Sequence, residues 1–181
     1  MNVKRLLAGL IALALVMTDI NIVKASDTED ASMPSETMDT VDATGVTEYI
    51  SIDGNFQFTL DTEYNYYATI TAYLGSESSI VVPAQITCSI GTYEVKAIGD
   101  LVFENNSTVT SITVEEGIVN IGQAFCGCPN LQVVNFPSTT WSVPDEAFNE
   151  SVALKEINVA SGANSYFSRS GVLYYYYGND L

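Results

Sequence analysis

The stretch NIGQAFCGCPNLQVVNFP, residues 120–137, decides the fold, because its pattern of apolar positions recurs on both sides of it. Phe125 has counterparts in Phe103, 22 residues earlier, and Phe148, 23 residues later. Six positions after each Phe stands Val109, Leu131 or Leu154; three further on come Ile112, Val134 and Ile157; two beyond those come Val114, Phe136 and Val159. Ile98 and Val143 precede Phe103 and Phe148 by five residues, whereas Ile121 precedes Phe125 by four, so the middle copy has lost one residue. A partial copy comes earlier, since Ser79-Ile80-Val81-Val82-Pro83 matches Val133-Val134-Asn135-Phe136-Pro137 position for position, and residues 87–95 form an insertion behind it. In a strand, successive side chains alternate faces. Ile112 and Val114 therefore point one way, and Ser111, Thr113 and Glu115 the other. Stacked copies bury one continuous apolar column, which no single copy can do alone.

An L-x-x-L-x-L pattern at this period is that of a leucine-rich repeat. More specifically, residues 97–103, 120–131 and 143–148 resemble the IGxxAFxGCxxLxxVxIP repeat of the BspA-type leucine-rich-repeat family. The resemblance covers about residues 56–181. It implies a repeat solenoid, mainly β, with repeats of about 23 residues, an N-terminal β-hairpin cap and a C-terminal β-hairpin. It also implies an exported surface protein of the kind implicated in adhesion to matrix proteins and to other cells. Residues 67–75 resemble the entry into the first coil of such proteins, and residues 170–174 the hairpin that follows a repeat block. Two departures stand out. The turn after each repeat carries Gly117, Thr139 or Gly162 rather than Asn or Cys, so no Asn ladder is expected there. The chain also ends at Asp180-Leu181, where relatives continue, which suggests a minimal secreted version or a truncated fragment of a larger adhesin.

Charge and composition narrow the function classes. The 181 residues carry 6 Lys plus Arg, 22 Asp plus Glu and no His, a net charge of −16. Such a chain is repelled by phosphate backbones and anionic lipid, so no nucleic-acid partner is expected. Without imidazole there is no His-dependent triad and no His-ligated zinc. Residues 1–25 read as a signal peptide, with Lys4 and Arg5 ahead of a 12-residue apolar run and small side chains at Val23 and Ala25. That run is shorter than the roughly 20 residues a bilayer requires. Cleavage after Ala25 leaves three basic and 21 acidic side chains, a mature charge of −18, and no membrane insertion is expected afterwards. Residues 26–47 lack aromatic residues and any sustained apolar period, and read as a disordered acidic leader. The remaining organisation is an N-terminal β cap over 48–79, repeats over 80–162 and a C-terminal hairpin over 163–181. One domain of this size can bury a sizeable core without disulfides or metal.

The candidate chemistry is sparse. Cys88, Cys126 and Cys128 are an odd set; Cys128 falls where Asn106 and Ser151 sit in the sister copies and reads as a buried structural thiol. A Cys88–Cys126 bridge stays open. Glu115-Glu116 and Asp145-Glu146 are sequence neighbours at repeat turns, where charge is ordinarily solvated, and neighbours do not face each other as a glycosidase pair must. Residues 53–55 and 61–63 lack the spacing of a calcium loop. No catalytic residue, cofactor or metal is assigned. The candidate binding surface is the outward strand row: Val81, Thr113, Asn135 and Asn158 at one level, with Ser111, Val133 and Glu156 beside it, on the expected concave sheet. Of the tyrosine run 174–177, one alternating set is expected to cap the solenoid, leaving Tyr175 and Tyr177 as exposed contacts. The sequence thus points to a secreted or cell-surface binding module for an extracellular protein or glycan, in adhesion. A structural spacer of the cell envelope is the alternative, and a carboxylate-dependent glycan hydrolase a remote one.

Overall fold

The computed structural model describes residues 40–41, 47–61 and 66–176, which lie in one compact unit, Ser35–Leu181. The signal peptide and most of the acidic leader fall outside the described residues. The chain enters through a meander in which β1 (Thr40–Val41), β2 (Thr47–Ile50), β3 (Phe56–Leu60) and β4 (Ala68–Tyr73) each pair antiparallel with the next. This is a sheet where the sequence predicted a hairpin cap, and its first strand lies inside the expected leader. Tyr49 of β2, 5.7 Å from Phe58, supplies an aromatic contact that recruits the extra strand and that the repeat pattern does not contain.

Repeats follow as β5 (Ser79–Val82), β6 (Gln85–Cys88), β7 (Gly91–Ile98), β8 (Ser111–Val114), β9 (Asn120–Ile121), β10 (Val133–Phe136), a 3-10 turn (Asp145–Phe148) and β11 (Glu156–Val159). The four strands predicted from the repeat, β5, β8, β10 and β11, form one parallel sheet in the order β11-β10-β8-β5. Its register sets Ile80 beside Ile112, Ile112 beside Val134, and Val134 beside Ile157. A second ladder runs on another side of each coil, with Ile70, Ile98 and Ile121 in register, and continues through a bridge between Asn120 and Ser142. The insertion at 87–95 is ordered: β6 and the first half of β7 pair antiparallel, and the second half of β7 joins this ladder.

Between the two ladders each coil bends at its Phe, and the bends are tied by backbone bonds, Phe103 N to Ala124 O at 2.9 Å and Phe125 N to Ala147 O at 3.0 Å. Inside, the rings form a column. Phe125 stacks between Phe103 at 5.7 Å and Phe148 at 5.3 Å, both within about 15° of parallel. Tyr73 extends the column to Phe56, at 5.4 Å from each of Phe103 and Phe56. Each added ring completes the burial of the one before it, so stacking is the means by which these small coils exclude water.

Cys128 is buried as predicted, its thiol 3.0 Å from Phe103 O, and one coil later Ser151 Oγ donates to Phe125 O at 2.6 Å. All three cysteines are free thiols, so the Cys88–Cys126 bridge is not formed. Burial pushes the Cys126 and Cys128 thiols up from their usual range, keeping them protonated and weakly nucleophilic.

At one core position the repeat is chemically imperfect. Val95, Ile118 and Thr140 are successive occupants of it, and the buried Thr140 hydroxyl has no hydrogen-bond partner. An orphaned buried hydroxyl costs about 1–3 kcal/mol. Thr140→Val, isosteric and apolar, is expected to raise the unfolding free energy by about 1 kcal/mol or more, read as a higher urea midpoint at unchanged slope. An equal or lower midpoint would show that the hydroxyl is satisfied in solution.

A hairpin of β12 (Tyr166–Arg169) and β13 (Val172–Tyr175) follows the last coil. Its inward residues differ from expectation. Tyr166, 8 % exposed, exchanges hydrogen bonds with the Val143 backbone, and Leu173 packs on the core, whereas Tyr174 and Tyr175 are both nearly half exposed. A two-residue turn at Ser170 and Gly171, both at positive φ, fixes this register and puts Tyr166, Leu173 and Tyr175 on the face toward the last coil and Tyr174 and Tyr176 on the outer face, the reverse of the expected alternation. Tyr177 lies outside the described residues.

Candidate recognition surfaces

Parallel register turns the outward residues of the repeat sheet into straight rows. Val81, Thr113, Asn135 and Asn158 are aligned in one row, and Ser79, Ser111, Val133 and Glu156 in the next. Within the first row Asn158 Nδ2 donates to Asn135 Oδ1 at 3.1 Å, and Asn135 Nδ2 donates to Thr113 Oγ1 at 3.0 Å. The amides are therefore held in one orientation rather than waving from the strand. An Asn ladder does exist, on the sheet's solvent face and not at the repeat turn. Val81 ends the row, 54 % exposed. Of the predicted surface residues, these seven repeat-sheet side chains are brought together; Tyr175 is not among them and borders a separate cleft.

The turn carboxylates at the strands' C-terminal ends are not merely solvated. Glu115 Oε2 accepts the backbone N–H of Ala84 at 2.8 Å, and Glu116 accepts the backbone N–H and hydroxyl of Ser138 at 2.8 and 3.0 Å. Each clamps a different neighbouring coil, so the pair diverges and cannot form a hydrolytic couple. Thr139, where the classical repeat has Asn, accepts from Gly117 N and donates to Ile118 O, doing the ladder's work with a hydroxyl. Among the described residues no group of three or more Cys, Asp or Glu is placed to hold a metal ion, and no helix is long and apolar enough to cross a membrane.

The Ser138 backbone N–H holds Glu116 below the ordinary carboxylate range; burial opposes it and the Ser138 hydroxyl adds to it. A carboxylate whose native pKa is depressed contributes stability above its unfolded pKa and loses it as pH falls through the native value. The advantage of wild type over Glu116→Gln in urea unfolding is thus expected at pH 7 and should shrink below about pH 4. A constant difference from pH 7 to 3 would rule out an ionised clamp.

Two exposed features had no signal in the repeat pattern. Trp141, the sole tryptophan, is 66 % exposed at the coil position occupied earlier by Lys96 and Val119. An open cleft of about 640 Å³ lies between the last coil and the hairpin, floored by Phe148, Leu154 and Ile157 with Tyr175 at its rim. Counterparts one coil earlier, Phe125, Leu131 and Val134, are fully buried. Among the described residues, the first set is covered by a hairpin and the second by a further repeat coil.

Over residues 84–171 the sequence matches the model described as BspA type Leucine rich repeat region. This stretch belongs to the BspA-type leucine-rich repeat family. BspA-type proteins are bacterial surface proteins. No curated protein matches the chain. Among solved structures it is similar to the Leucine Rich Repeat protein of T. pallidum, at 25 % identity and a TM-score of 0.53, over 60 % of this chain and 49 % of that one. It is also similar to a leucine-rich repeat protein of Bacteroides ovatus, at 23 % identity and a TM-score of 0.50, over 61 % of this chain and 30 % of that one. The chain thus spans about half the length of the treponemal protein. The BspA-type match begins within the β5–β6 connection and ends at the hairpin turn, so the entrance meander lies before it.

Proposed function

We propose that the chain is a non-enzymatic recognition module, exported and acting at the bacterial surface, that binds an extracellular protein or glycan through the solvent face of its repeat sheet. The observation that carries this reading is the Thr113–Asn135–Asn158 ladder. Side chains already ordered in the free protein lose little further entropy on binding, so a flat polar row with an apolar end at Val81 is suited to contact. The net charge of −16 favours basic or neutral partners over polyanions.

The test is binding of the full mature chain to immobilised matrix proteins and host glycans, with Thr113, Asn135 and Asn158 replaced together by Ala. Loss of about tenfold or more in affinity is expected. Unchanged binding by the triple variant would remove the sheet face from the proposal. Failure to bind any member of the panel would favour a spacer role in the envelope. N-terminal sequencing of the secreted form is expected to begin at Ser26, and retention of residues 1–25 would contradict export by this route.

A further inference from the structure

The C-terminal hairpin presents a second surface that neither the repeat sheet nor the core uses. On β12 and β13, Phe167, Arg169, Val172 and Tyr174 alternate with Tyr166 and Leu173, which turn toward the last coil, and Tyr176 continues the outer set. On that outer face Phe167 lies 5.1 Å from Tyr174, with rings 15° from parallel, and 4.7 Å from Tyr176. Phe167 therefore touches both tyrosines, stacked on Tyr174 and tilted by 40° against Tyr176. Tyr174 is 43 % exposed, and Val172, two residues along the strand, is 51 % exposed. Arg169 pairs across from Val172, is exposed, and makes no ion pair among the described residues. The platform is fixed to the solenoid: Ile157 N donates to Gly171 O at 2.8 Å, and a Cβ on Gly171 would meet Lys155 O at 2.9 Å.

Charge then selects what this face can hold. Residues 157–176 contain one Arg, no Lys and no acid, inside a chain of net charge −16. An anionic ligand is repelled by the molecule as a whole, and a basic one is drawn to the acidic remainder and repelled locally by Arg169. An uncharged ligand with a flat C–H face and hydroxyl acceptors suffers neither penalty. Tyrosine offers ring area with a polar tip at low entropic cost, and a guanidinium offers five donors and no acceptor. We propose that this hairpin face is a binding site for an uncharged pyranose oligosaccharide, with one sugar ring on Tyr174 beside Val172 and its hydroxyls accepting from Arg169. The site is separate from the sheet face, so either can fail without the other.

Calorimetric titration of the full chain with cellohexaose, mannohexaose, xylohexaose and chitohexaose tests it, with a hyaluronan hexasaccharide and an oligolysine peptide as charged probes. At least one neutral hexasaccharide is expected to bind, with affinity reduced about tenfold or more in Tyr174→Ala and in Arg169→Ala, and kept within about threefold in Tyr174→Phe. The Thr113/Asn135/Asn158 triple variant should bind the sugar as wild type does. Arg169 contributes nothing to the core, so its variant remains informative if Tyr174→Ala is unstable. The proposal is overturned if no neutral hexasaccharide binds, if the Arg169→Ala variant binds like wild type, or if hyaluronan or oligolysine binds more tightly than every neutral sugar. Sugar binding lost only in the triple variant would overturn it while leaving the sheet-face reading intact.

Discussion

Phe125→Ala is expected to cost about 3–5 kcal/mol of unfolding free energy, the range for truncating a fully buried Phe. The ring is fully buried and touches aromatic partners on three sides, Phe103 at 5.7 Å, Phe148 at 5.3 Å and Phe136 at 6.2 Å. Its removal leaves a cavity in the middle of the column, where the coils on both sides are held apart by their own backbone bonds and cannot collapse to fill it. Domains of this kind hold about 5–15 kcal/mol in total, so the variant should lose a large part of its cooperative melting transition. Phe148 offers the control, because its ring is only half-buried and borders the cleft. Phe148→Ala should therefore cost clearly less. If urea unfolding ranks the two variants equal, or Phe148→Ala the more damaging, the column is not the central support of the solenoid.

The repeat sheet was legible in the sequence to the residue. Matching Ser79 to Ser111, Val133 and Glu156 requires only the spacing from Phe to the alternating apolar pairs, and the observed parallel register is the same match. Period tells which residues are equivalent. It does not tell what replaces a missing equivalent, and the misreadings fall there. Tyr73 takes the ring position of the entry coil although it precedes Phe103 by 30 residues, because the β6–β7 hairpin lengthens that coil. Glu115 and Glu116 looked like solvated turn residues, and Thr139 like a lost ladder position, because their partners, Ala84, Ser138 and Gly117, sit one coil away. Tyr166 was overlooked in favour of the conspicuous tyrosine run, since only the two-residue turn at 170–171 decides which face of the hairpin meets the last coil. Trp141 gave no signal at all, being a lone substitution at an outward position.

The Ile-Gly pair of the repeat shows how such a short motif carries a distance constraint. Gly122 N donates to Ile98 O at 2.8 Å, and this draws the second coil so close to the first that a Cβ on Gly122 would lie 2.8 Å from Gly99 C and 2.9 Å from Asp100 N. Both are backbone atoms and cannot rotate aside. Asp100 Oδ1, 2.5 Å from the same point, is itself committed to the backbone N–H of Gln123 at 2.8 Å. Gly122→Ala must therefore spread the coils and weaken both hydrogen bonds, at a cost near the upper end of the overpacking range, about 3 kcal/mol. Stability in a solenoid is carried by contacts between neighbouring coils, so the damage should concentrate at one interface, and unfolding should lose cooperativity before the coils themselves melt. Gly162 separates steric from conformational effects. It sits at φ +88° with nothing within 4 Å of the added carbon, so Gly162→Ala pays only the left-handed strain of about 1 kcal/mol. Chemical denaturation of the two variants should rank Gly122→Ala well below Gly162→Ala. Equal costs would mean that glycine serves the backbone angle and not the approach of one coil to the next.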